Sequence, residues 1–294
     1  RVRARTRAFR TVAARLSLGG DGVVVGAAPI DLQADTGRAV LLLHGFGDTP
    51  QTLEYLASYL HAHGWTVRAP LLPGHGRSLD AFAASRADEW IEFARRELEA
   101  LHRRYPMVSI VGLSMGGSLA TILAAESPDV RALALLAPYL SMPKRLRRAA
   151  AVHSVLGLAV PYLPGGGERS IRDPEELARN LAYGYTTPRL VYELSQVVER
   201  ACRAAPSVSA PTLVVQSRQD NRIPADAAER AFALFTAPRR RLLWTEGNGH
   251  VITVDYGRQA VFASVVEWLA THTLSDPRSL GVTGPPRTPT RSAP

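Results

Sequence analysis

The chain has 294 residues, 46% of them apolar and 21% charged, which suits one large α/β domain and excludes a disordered chain. Its formal charge is +9, but residues 1–20 hold six arginines and no acid, residues 275–294 hold three arginines against Asp276, and the body between is close to neutral with no basic stripe interleaved with aromatics, which argues against a nucleic-acid partner. No apolar run is long enough to cross a bilayer, and the single cysteine, Cys202, allows neither an internal disulfide nor a cysteine metal cluster.

In chain order, residues 1–20 read as an arginine-rich helical arm ending at Gly19–Gly20. "GVVVGAAPIDL" at 22–32 predicts early strands joined by a turn. "AVLLLHG" at 39–45 is a continuous apolar run, as a strand covered on both faces requires. A helix follows from Pro50, with Thr49 as its N-cap and Gly64 as its stop. The next strand is "WTVRAPLL" at 65–72. Residues 87–105 form an amphipathic helix that puts Trp90, Phe93, Ala94, Leu98 and Leu101 on one face. Strand 108–113, helix 116–126 and strand 130–138 complete an alternation that predicts a parallel sheet with helices on both faces.

At 139 the rhythm breaks. Residues 139–206 carry no strong strand signal and read as a small helical cap inserted after the sixth strand of one sheet domain, whose core is 21–138 and 207–274. The alternation resumes with strand 210–220, a helix near 224–236, strand 240–246 and a last helix near 256–271. The Pro-, Ser- and Thr-rich segment 275–294 is expected to be a disordered tail.

The chemistry starts at "GLSMG", residues 112–116, which fit the strand–turn–helix pattern G-x-S-x-G. Glycines on either side let the backbone turn tightly and lift the Ser114 hydroxyl above the sheet edge, facing a helix N-terminus that favours negative charge. A small serine in a tight turn is the plainer alternative. A serine nucleophile needs a base and a group to orient that base. Of eight histidines, only His153, His250 and His272 follow Ser114. His250, in the loop after the last strand, lies on the right edge. Asp220 follows the preceding strand and is the expected acid, whereas Asp226 falls in a helix's first turn and Asp255 comes after the histidine. The backbone N–H groups of Phe46 and Met115 are the expected oxyanion donors, with the Phe46 side chain free to line the substrate pocket. His44 and His75 read as residues that fix their own turns.

These residues resemble the α/β-hydrolase superfamily. "HGFGDTP", "LLPGHGRS", "GLSMGG", "QSRQDNRIP" and "GHVITVD" fall in its order, over roughly residues 38–272. Within it the chain is most similar to bacterial carboxylesterases and monoacylglycerol lipases with a small cap. The resemblance implies Ser114 as nucleophile, Asp220 as orienting acid, His250 as base, and Phe46 and Met115 as oxyanion donors. It implies a serine carboxylesterase acting on short- to medium-chain esters or monoacylglycerols, with no metal and no cofactor. An interfacial lipase, a thioesterase and a non-catalytic binding protein on the same scaffold are the alternatives. A weak membrane-surface contact through the basic arm or the cap is open, and so is the choice of monomer or homodimer. The expected compartment is the cytoplasm. The chain starts at Arg1 rather than methionine, which reads as trimming and leaves an exported or membrane-associated form open.

Overall fold

The computed structural model describes residues 2–165 and 170–274. The tail reading for 275–294 therefore lies outside the described residues.

The strands are β1 (Ile30–Leu32), β2 (Arg38–Leu43), β3 (Thr66–Ala69), β4 (Met107–Leu113), β5 (Leu133–Leu136), β6 (Leu163–Pro164), β7 (Tyr185–Thr186), β8 (Thr212–Ser217) and β9 (Arg240–Thr245). The helices are α1 (Val2–Ala13), α2 (Glu54–Ala62), α3 (Leu79–Ala84), α4 (Ala87–His102), α5 (Met115–Glu126), α6 (Lys144–Ala151), α7 (His153–Ala159), α8 (Pro174–Arg179), α9 (Pro188–Ala204), α10 (Ala225–Phe232) and α11 (Arg258–Leu274). Seven strands form one sheet in the order β1-β3-β2-β4-β5-β8-β9. Every neighbouring pair is parallel except β1 with β3.

The sheet is covered on both faces. On β2, Ala39, Leu41 and Leu43 enter one core while Val40 and Leu42 enter the other. This is the physical meaning of the unbroken "AVLLL" run: period-2 alternation cannot show when both faces are dry. Helix α4 lays Trp90, Ala94, Leu98 and Leu101 into the first core, each large side chain contributing about 1.5–3 kcal/mol by burial. Phe93 of the predicted stripe is only partly buried, and Ile91 takes a buried place instead. Helix α5 is buried from Met115 through Ala124 because it is sandwiched between the sheet and α9.

Strand order reverses at β2: β3 lies on one side of it and β4 on the other. The loops after β2 and β4 therefore diverge to opposite faces and leave a crevice at the carboxyl edge. The loop after β2 begins at His44, and β4 runs directly into Ser114.

Three expectations change. First, 22–32 contributes one strand, not two. Gly22 and Gly26 have φ of +72° and +88°, so the Val23–Val25 run bends and leaves only a single bridge between Leu18 and Val24. Segment 139–206 consequently follows the fifth strand rather than the sixth. Second, that segment is not purely helical: β6 and β7 pair antiparallel within it. Third, the N-terminal arm is docked. Ala8, Val12 and Leu16 are buried, Phe9 meets Tyr162 edge-on at 5.7 Å, and Arg5 pairs with Asp80 at 3.2 Å. Thr49 stands at the expected N-cap with Pro50 after it, but the first turn is 3₁₀ and the Thr49 hydroxyl makes no capping bond. Among the described residues no helix is long and apolar enough to cross a membrane.

Candidate active site

Ser114 sits between β4 and α5 with φ 54° and ψ −117°, a conformation that costs a non-glycine residue of order 1–3 kcal/mol. The surroundings hold it there. Its N–H donates to Leu136 O (2.9 Å), and its carbonyl accepts from Gly117 N (2.9 Å) and Tyr139 N (3.0 Å). The glycines are needed for space: a Cβ on Gly112 would lie 2.2 Å from the Gly116 carbonyl oxygen, and one on Gly116 would lie 2.0 Å from the Leu43 oxygen. The helix can start this close to β2 and β4 only because both positions lack side chains.

The structure brings Ser114, His250 and Asp220 into one hydrogen-bonded chain. Ser114 Oγ lies 2.8 Å from His250 Nε2, and His250 Nδ1 lies 2.8 Å from Asp220 Oδ2. Asp220 follows β8 and His250 follows β9, so adjacent parallel strands deliver both to the edge where Ser114 emerges. Burial alone pushes the Asp220 carboxyl up. The charge and hydrogen bond of His250 outweigh it, helped by the N–H groups of Arg222 and Ile223, and the carboxyl ends below the usual range. Gln216 Nε2 also donates to Asp220 Oδ2, at 2.8 Å. An ionised acid locked by four donors can fix the imidazole's tautomer and stabilise its charged form.

The Met115 N–H opens α5, and Phe46 lies in the loop after β2. That loop abuts the serine, since a Cβ on Gly45 would stand 3.4 Å from Ser114 Cβ. Neither amide is spent on a turn or capping bond among the described residues. His44 holds the loop: its Nε2 accepts from Leu72 N–H (3.1 Å), so its Nδ1 donates to Gly45 O (3.0 Å). Burial keeps this ring neutral, with its pKa lowered to about 4. His75 donates from Nδ1 to Pro73 O at 3.1 Å and packs against Phe46, Phe82 and Trp90. His75 acts on its own turn, whereas His44 also ties its loop to Leu72.

The remaining candidates stand elsewhere. His153 stacks on Tyr192, His272 meets Trp268, and Asp226 forms an exposed pair with Arg230. Asp255 is fully buried and accepts four backbone N–H bonds, two of them from Gly249 and Arg172.

A pocket of about 300 Å³ opens over Ser114 and His250, at the small end of small-molecule sites. Phe46, Leu146, Val191 and Leu194 give it apolar walls. Sequence reasoning missed four of its polar members: Asp48, Tyr139, Ser170 and Arg222. The signal was available for Asp48 and Arg222, which lie within the quoted "HGFGDTP" and "QSRQDNRIP" stretches.

The family profile described as serine aminopeptidase, S33 (Hydrolase_4), matches residues 34–256. A thermostable monoacylglycerol lipase of Bacillus sp. (strain H-257) is 27% identical over 252 residues, covering 85% of this chain and 97% of the relative. A carboxylesterase of Bacillus subtilis (strain 168) is 27% identical over 234 residues, covering 79% and 92%. A solved structure from work on the metagenome-derived lipolytic enzymes LipS and LipT superposes with a TM-score of 0.77 at 28% identity, covering 84% of this chain and 98% of that one. The monoacylglycerol lipase of Paleococcus ferrophilus shares the fold, with a TM-score of 0.72 at 23% identity over 83% of this chain and 98% of that one. The chain belongs to the S33 family of serine hydrolases and has the α/β-hydrolase fold.

Proposed function

We propose that this S33-family serine hydrolase is a carboxylesterase that cleaves short- to medium-chain carboxylic esters or monoacylglycerols through an acyl-enzyme on Ser114. The observation that carries the reading is the Ser114–His250–Asp220 relay, with 2.8 Å at both links, beneath an apolar-walled pocket of about 300 Å³. The names borne by the relatives, monoacylglycerol lipase and carboxylesterase, support the ester class.

His250 takes the Ser114 proton as Oγ attacks the ester carbonyl. The carbonyl oxygen becomes an oxyanion, which the Phe46 and Met115 N–H groups receive. The C–O bond breaks, and the alcohol leaves with the proton held by His250. Water then gives its proton to His250 and attacks the acyl carbon, releasing the acid and restoring Ser114. Asp220 stays ionised throughout and stabilises the imidazolium.

A panel of p-nitrophenyl esters of graded chain length, run beside Ser114→Ala, tests this. The expected result is a maximum at short to medium chains and a loss of about 10⁴-fold or more in kcat for the variant. Turnover of a thioester or amide without any carboxylic ester would overturn the reading.

One observation favours an interfacial form of the same activity. Helix α7 exposes Val155 at 72% and Leu158 at 65%, beside the exposed cations Lys144, Arg145, Arg147 and Arg148 of α6, and Leu146 of α6 lines the pocket. An apolar stripe flanked by cations is the make-up of a surface that rests on an anionic lipid interface. Faster turnover of emulsified than of dissolved substrate would support it, and equal rates would leave α7 as a solvent-facing helix.

A further inference from the structure

Most arginines of this protein that are partly buried are matched by acids. Arg68 bonds Glu97 at 2.7 Å and stands 3.7 Å from Asp31. Arg222 is different. It is partly buried and lines the pocket over Ser114 and His250. Its Nε donates to Ser170 Oγ at 2.9 Å, and no carboxylate oxygen lies within 4.0 Å of its guanidinium among the described residues. Asp220 is close enough to feel the charge but is already engaged by Gln216, His250 and the Arg222 and Ile223 amides. Arg222's two Nη groups, each a pair of donors in a rigid fork, are therefore left for something else.

The position of that fork relative to the reaction is fixed by the backbone. Arg222 N–H donates to Asp220 Oδ1 (2.7 Å). Val251 N–H donates to Ser170 O (2.9 Å), and Ser170 holds the Arg222 side chain. Arg222 thus stands on the His250 side of the pocket. The leaving alcohol must also lie on that side, because its oxygen collects the proton from His250 Nε2.

We infer that Arg222 is a specificity residue for the alcohol half of the substrate, and that the preferred esters carry an anionic group there, phosphate or carboxylate. The inference rests on the ester-hydrolase reading above and narrows its substrate class. Three further observations agree. Among the described residues the pocket lining contains one acid, Asp48, and burial raises its carboxyl to about 7, so it carries only part of a negative charge at neutral pH. Burial lowers the Arg222 pKa, and the nearby Tyr139 and Asp220 only partly offset this, so a bound anion would relieve a cation short of solvation. The roof helix α6 adds four exposed cations around Leu146, which would steer an anionic ester to the mouth in a salt-dependent way.

The test compares 1-butyrylglycerol with 1-butyrylglycerol 3-phosphate and O-butyryl-lactate, using wild type, Arg222→Gln and Arg222→Lys. p-Nitrophenyl butyrate serves as a neutral reference, and the mono-p-nitrophenyl ester of glutaric acid places the anion on the acyl half. The wild type should show higher kcat/KM for at least one alcohol-half anion than for 1-butyrylglycerol. That ratio should fall about tenfold or more in Arg222→Gln, mainly through KM, and partly recover in Arg222→Lys. Glycerol 3-phosphate should inhibit p-nitrophenyl butyrate hydrolysis at lower concentration than glycerol, and Arg222→Gln should erase the difference. Which anion gains the most decides between phosphate and carboxylate. Hydrolysis of the neutral esters with no gain for any alcohol-half anion would overturn the inference and leave the esterase reading standing. So would equal losses on all esters in Arg222→Gln, or a preference confined to the glutaric ester. Failure of wild type on every ester would instead sink the esterase reading.

Discussion

Asp48 illustrates how a single residue can carry both a strain and a use. It sits 6% exposed in the loop that borders Ser114 and lines the pocket. Burial raises its carboxyl to about 7, against the Thr49 N–H and a Thr52 hydrogen bond that pull it down. The folded protein therefore holds a proton that the unfolded chain gives up above about pH 4. Between those values the folded state binds more protons, so stability falls as pH rises, and above about 7 the whole penalty of a buried carboxylate is present. Asp48→Asn keeps the acceptor for Thr49 N–H and removes the charge. The variant should be more stable than wild type at pH 8 by about 2–4 kcal/mol, and the gap should close towards pH 4. Urea melts at pH 4, 6 and 8 would check this. A gap independent of pH would mean that Asp48 is ionised in the folded state throughout.

At the scale of elements, the site depends on a loop that the catalytic residues do not explain. Asp255 lies five residues after His250 and is fully buried. Its carboxylate accepts from Gly249 N (2.6 Å), Arg172 N (2.8 Å), Tyr256 N (2.9 Å) and Asp173 N (3.0 Å). It thus ties the loop between β9 and α11 to segment 170–173, beside Ser170. Removing it leaves buried donors unpaired, at about 1–3 kcal/mol for each that finds no water. Asp255→Ala should lose about 3 kcal/mol or more of unfolding free energy, and kcat should fall with it because Gly249 fixes His250. Asp255→Asn should recover part of both. A loss under about 1 kcal/mol would show that water replaces the carboxylate. In sequence this residue was weighed only as an alternative acid and set aside for its order. Its four bonds come from backbone amides up to 83 residues away, and nothing in a local pattern marks such a partner.

Across the whole molecule, what could be read in the sequence was whatever leaves a local trace. The long strands are continuous apolar runs because both cores are dry, and the elbow shows itself because glycine is the sole residue that fits at 112 and 116. The order Ser114, Asp220, His250 follows from parallel strands that deliver each side chain to one edge. The docked arm left a trace that the arginines masked: Ala8, Val12 and Leu16 recur every four residues and are buried, while the charges around them dominated the reading of an arginine-rich arm. Arg222 and Ser170 were not legible as a pair, since 52 residues separate them and the fold alone sets them 2.9 Å apart. The central claim, that the assembled relay makes Ser114 a nucleophile, is tested most directly by fluorophosphonate labelling of the folded protein followed by peptide mapping. The account predicts one adduct, on Ser114, that is absent from Ser114→Ala and strongly slowed in His250→Ala. A folded protein that takes up no probe, or takes it up at another residue, would contradict it.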